Sequence, residues 1–112
     1  MNLVLAMLML GGQAAVPPPP GLLFGFYRMV AFEQRAKELG CGAHDLDREF
    51  EAIRRQLARR YGKKPFSRPK IPPGGVGDCY SAVSVYRVNL ADFRRDAAAA
   101  LAAAPGAAAP AP

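Results

Sequence analysis

Between Lys63 and Gly77 the chain places Pro65, Pro69, Pro72 and Pro73 beside Gly74, Gly75 and Gly77. Prolines at that density remove amide donors and fix the backbone torsion. The segment is therefore expected to be neither helix nor central strand but an extended, largely polyproline-type connection. At about 3.1 Å per residue it reaches over ~40 Å, whereas the helix expected before it, at about 1.5 Å per residue, is only ~25 Å long. The connection can run back along that helix from end to end, with Phe66 and Ile71 available to peg it.

Apolar periodicity on either side predicts helices. From Gly21 to Leu39, Leu22, Phe26, Met29, Phe32, Ala36 and Leu39 recur at spacings of three or four, and Glu33 with Lys37 forms an i,i+4 pair expected on the opposite side. Gly40 suits a left-handed stop. From Asp45, the stripe Leu46, Phe50, Ile53, Leu57 and Tyr61 marks a second helix, with Asp45, Asp47, Glu49 and Glu51 in its first turns and Arg59 and Arg60 in its last, complementing the helix dipole. After the proline segment, Asp78 is a plausible N-cap for a third helix whose buried face is Cys79, Val83, Tyr86, Leu90, Phe93, Ala97 and Leu101. Tyr80 to Val88 is rich in β-branched and aromatic residues, and a strand followed by a helix from Leu90 is the competing reading. A lone strand has nowhere to place its hydrogen bonds, so one long helix is expected. The fold class is all-α: a small three-helix domain with a long Pro/Gly-rich connection between helices two and three.

Cys41 and Cys79, the two cysteines, are expected to form a disulfide that staples this domain. The bridge would set the start of helix three beside the first turn of helix two. Those helices would then be parallel, because an up-down-up bundle with a short second loop leaves the sulfurs at opposite ends, beyond the roughly 7 Å Cα separation a bridge tolerates.

Leu3 to Leu10 is an unbroken apolar run, followed by Gly11-Gly12 and Gln13-Ala14-Ala15. That layout is expected of a secretory signal peptide over residues 1–15, cleaved after Ala14 or Ala15, although no basic residue precedes Arg28. The run is shorter than the roughly 20 residues a membrane span needs. Residues 16–20 read as a Pro-rich spacer, 21–104 as a single helical domain and 105–112 as a disordered Ala/Pro tail. Periplasmic or secreted localisation follows as the expectation, in keeping with the cysteine pair.

Lys and Arg total 15 against 9 Asp and Glu, a net charge of +6. The excess is concentrated in one region: Arg54, Arg55, Arg59, Arg60, Lys63, Lys64, Arg68 and Lys70 follow one another with no acid between Ala52 and Gly77. An Arg-rich helix face is commonly only solvated. Yet Arg55 and Arg59 repel at i,i+4 on the outward face, a weak sign that an anionic partner uses it. These eight residues are the candidate anion-binding set.

Candidate chemistry is thin. His44 is the only histidine, no nucleophile motif surrounds Ser67, Ser81 or Ser84, and Gly74-Gly75-Val76-Gly77 is not preceded by a strand as a phosphate-cradling fingerprint requires. Cys41-x-x-His44 with Cys79 and Asp45 or Asp78 has metal-ligand chemistry, but the second half lacks its own ligand pair. No cofactor, metal or catalytic group is expected, and the chain does not read as an enzyme. The expected role is that of an exported binding or accessory component of the cell envelope, whose basic surface meets an anionic lipid, polymer or protein. The alternative is a cytosolic nucleic-acid-binding protein using the same cluster. Leu22 to Phe26 could serve either core or oligomer contact.

Overall fold

The computed structural model describes residues 16–74 and 77–103. The expected signal peptide and the Ala/Pro tail lie outside the described residues. Among the described residues there are three α-helices: α1 (Pro20–Glu38), α2 (His44–Tyr61) and α3 (Cys79–Ala102). Residues 80–88 are helical throughout, so the strand alternative does not apply. Proline opens α1, where its missing N–H and fixed φ cost nothing. Gly40 and Gly42, at φ of 70° and 68°, turn the chain sharply into α2. Asp78 caps α3 by accepting from the Ser81 N–H at 2.8 Å.

The helix directions follow from contacts at the two ends. Cys41 and Cys79 are bonded, with Cα atoms 5.3 Å apart, which joins the start of α3 to the turn before α2. At the other end Arg60 of α2 donates to the carbonyl of Ala103, just beyond α3, at 3.2 Å. Helices α2 and α3 are therefore parallel, and α1 is antiparallel to both.

The proline segment makes the return journey along α1. Arg68 meets Glu33, Gln34 donates to the Ile71 carbonyl at 2.8 Å, and the Gly74 N–H donates to Glu38 at 3.2 Å, so loop and helix advance together. One part departs from the extended conformation expected. Lys64–Phe66 forms a single 3-10 turn, since an i,i+3 bond from Phe66 N–H to the Lys63 carbonyl needs no donor from Pro65. That turn drives Phe66, fully buried, into the core.

Four aromatic rings from four elements meet there. Phe26 of α1 lies 5.7 Å from Phe50 of α2 and 5.3 Å edge-on from Phe66, and Phe50 meets Phe93 of α3 at 5.9 Å. Gly25 leaves the space that Phe93 occupies, its ring lying 3.3 Å from where a Cβ would stand. The α2 stripe is buried as expected, and so are Tyr86, Leu90, Phe93 and Ala97 of α3. In α1 the expectation needs correction: Glu33 is not on the solvent side but 5% exposed, flanked in the interior stripe by Met29, Val30 and Ala36.

The bridge closes a loop with a sequence separation of 38. Constraining the unfolded chain to that extent stabilises the fold by about 4 kcal/mol in the chain-entropy model. Denaturant titration with and without reductant should show that loss, with a folded baseline of unchanged helicity on either side.

Candidate anion-binding site

The basic residues of 54–70 divide by what their side chains touch. Arg54 donates from Nε and Nη2 to the two carboxylate oxygens of Glu51, at 2.9 and 2.7 Å, and from Nη1 to the Phe66 carbonyl at 3.3 Å. Arg68 donates to both oxygens of Glu33, at 2.8 and 3.0 Å, and reaches Glu51 at 3.0 Å. Its guanidinium also lies over the Phe50 ring, 5.3 Å from the centroid. Arg60 is drawn to Ala103 and lies over the Tyr61 ring at 5.4 Å. These three arginines hold the fold together.

The others face outward. Arg55, Arg59 and Lys63 line one groove of about 480 Å³ with Arg54, Ala58 and Ser67. It lies between the second half of α2 and the turn that follows. Arg55 and Arg59 come together because residues four apart stack on one helix face, and Lys63 joins them because Gly62, at φ 99°, ends the helix immediately beyond Tyr61. Ser67 Oγ donates to the Lys63 carbonyl at 2.8 Å and fixes the far wall. The Arg55 side chain is 67% exposed, tied at its base by Nε to Glu51 at 3.1 Å. Arg59 and Lys63 have no ion-pair partner among the described residues. Lys64 and Lys70 are exposed and lie outside the groove.

Arginine and lysine side chains converging on one hollow, with a hydroxyl at its edge, can take up a phosphate or carboxylate through charge-assisted hydrogen bonds. The geometry thus gathers Arg55, Arg59 and Lys63 from the eight candidates and assigns Arg54, Arg60 and Arg68 to structure.

A second cleft, of about 620 Å³, is lined by Glu33, Lys37, His44, Asp47, Arg48, Glu51 and Arg68. Within it Glu33 is paired with Lys37 and Arg68, and Glu51 with Arg68. The Arg54 hydrogen bonds outweigh burial and, with Arg68, hold the Glu51 carboxyl down to about 2. Burial first, and then its 2.7 Å hydrogen bond to the Asp47 carboxylate, keep the Tyr86 phenol protonated well above its ordinary range. Asp47 and Glu51 therefore do more than complement the helix dipole, the role that fully accounted for them in the sequence. Among the described residues no group of three or more His, Cys, Asp or Glu is placed to hold a metal ion, and both cysteines are in the disulfide. No described helix is long and apolar enough to cross a membrane. No family model matches the chain, and no curated protein or solved structure is similar to it.

Replacing Arg68 with Ala leaves Glu33 buried without its two strongest donors. Thermal and urea unfolding should show a loss of about 2–3 kcal/mol, against under ~0.5 kcal/mol for Lys64→Ala on the surface. Glu51 sets a pH dependence as well. Its folded pKa lies below the ordinary value of 4.5, so its stabilisation is complete above that value and is lost as pH falls toward about 2. The melting temperature of Glu51→Gln should start lower at neutral pH and fall less than that of the native chain between pH 5 and 2.

Proposed function

We propose that the protein is an exported, non-enzymatic binding or accessory component of the cell envelope, which meets an anionic partner through Arg55, Arg59 and Lys63. The observation that carries this reading is the division of the basic segment. Burial accounts for the pairing of Arg54 and Arg68, and Glu51 holds Arg55 at its Nε, but no ion pair among the described residues accounts for Arg59 and Lys63 beside it in one open groove. Export is supported by the apolar run before residues 11–15 and by the disulfide, a bond that persists in oxidising compartments.

Retention on phosphocellulose over a salt gradient tests the groove. Arg55→Glu/Arg59→Glu should elute at much lower salt than Arg48→Glu/Arg87→Glu, which changes net charge equally on other surfaces. Equal shifts would mean that overall charge alone accounts for binding. Intact mass of the protein from its native host tests export. A chain beginning at Ala15 or Val16, and two mass units lighter than its reduced form, is expected. A full-length chain with free thiols that binds generic duplex DNA with steep salt dependence would favour the cytosolic nucleic-acid alternative instead.

A further inference from the structure

At the amino end of α1, Pro20, Leu23, Phe24 and Tyr27 line an almost wholly apolar hollow of about 430 Å³ on the outer surface. Phe24 is 74% exposed and Tyr27 49%, while their neighbours Leu22 and Phe26 are buried in the core. The core therefore does not explain the two outward aromatics. No charged residue interrupts residues 20–27. In sequence the patch follows the apolar run Leu3–Leu10 by ten residues.

The charges at this end of the bundle are mostly basic. The start of α1 lies beside the last turns of α2 and α3, since Gly21, Leu22, Tyr61, Ala100 and Ala103 line one hollow. The later turns of those helices and the 3-10 turn supply Arg59, Arg60, Lys63, Lys64, Arg94 and Arg95, against Asp92 and Asp96. Arg94 is paired with Glu49, and Arg95 with Asp92 and Asp96. Arg59, Lys63 and Lys64 remain unpaired among the described residues. Glu38, Asp45 and Asp78 lie at the opposite, disulfide end.

The geometry points to an anionic bilayer surface as the occupant of this end, with Phe24 and Tyr27 seated at the headgroup level and Arg59, Lys63 and Lys64, at the same end of the bundle, turned to lipid phosphate. Aromatic rings favour the membrane–water interface, and basic residues within a Debye length of anionic lipid are drawn to it. Charge complementarity selects this occupant over a second copy of the chain. Two copies meeting through this same patch would bring their basic ends together. The inference rests on the envelope reading, and it names lipid phosphate as the anion.

The chain contains no Trp, so Phe24→Trp introduces a single reporter at an exposed position where packing is undisturbed. Val88→Trp, on α3 at a site 62% exposed, is the control. With the exported form of the chain, beginning at Ala15 or Val16, and phosphatidylglycerol vesicles, the indole at position 24 should shift to the blue and be quenched by brominated lipid. The indole at 88 should remain in water, and phosphatidylcholine vesicles should give neither change. Lys63→Glu/Lys64→Glu should weaken the response at least tenfold. If position 24 stays in water while the protein sediments with vesicles, or both positions respond alike, the docking assignment is overturned. A blue shift at 24 that grows with protein concentration without lipid marks a contact between copies and overturns it as well. Groove binding on phosphocellulose that survives a negative vesicle result leaves the proposed function standing. Loss of both removes the two together.

Discussion

The bond between Cys41 and Cys79 decides how the rest of the chain must run. It fixes the start of α3 beside the turn into α2, and two helices packed side by side with their starting ends joined lie parallel. A parallel pair requires a connection at least as long as the first helix. The Pro/Gly-rich segment meets that need, extended for most of its length and poor in amide donors. With few donors it cannot be held by a backbone ladder, so side chains seat it: Gln34 of α1 on the Ile71 carbonyl, Glu38 of α1 on the Gly74 N–H, and the segment's own Phe66 in the aromatic core.

Seating the loop also explains why a carboxylate is tolerated in the interior. Glu33, on the buried stripe of α1, would be costly alone. Arg68 reaches it from the loop with two hydrogen bonds, its guanidinium over the Phe50 ring, and Lys37 approaches to 3.5 Å. Glu51 then ties the arrangement to the groove, because the same carboxylate receives Arg54, Arg55 and Arg68. Loop attachment and the aim of Arg55 therefore share one residue. A change that loosens the interior network also disturbs the outer surface, which is a reason to judge groove variants only beside measured stability.

The helices, their parallel arrangement, the Asp78 cap and the Gly40 stop were legible from the sequence because each depends on residues a few positions apart or on the two cysteines. The interior ion network was not. Glu33 has a local partner in Lys37 that satisfies an i,i+4 pattern, while its stronger partner stands 35 residues away in a segment with no periodicity. One signal was available: Glu33 follows Met29 by four and precedes Ala36 by three, in register with the core stripe. Similarly, the run from Arg54 to Lys70 marked a basic region by composition alone. Composition cannot tell Arg54, turned to Glu51 and the Phe66 carbonyl, from Arg55 one position later, because that division depends on where the loop returns.

What the fold needs can be separated from what it leaves over. Stability requires that Glu33, Glu51, Arg54 and Arg68 be matched and that Phe26, Phe50, Phe66 and Phe93 be packed. It does not require Phe24 in water, since burying an aromatic ring of that size would stabilise by about 1.5–3 kcal/mol. Nor does it require Arg55 and Arg59 on one turn-to-turn face, where their repulsion costs a few tenths of a kcal/mol, about the size of a favourable i,i+4 pair. The Glu51 pair offsets that repulsion at Arg55, whereas Arg59 has no ion-pair partner among the described residues, and both features face outward. Both are features that the proposed recognition of an anionic surface would use.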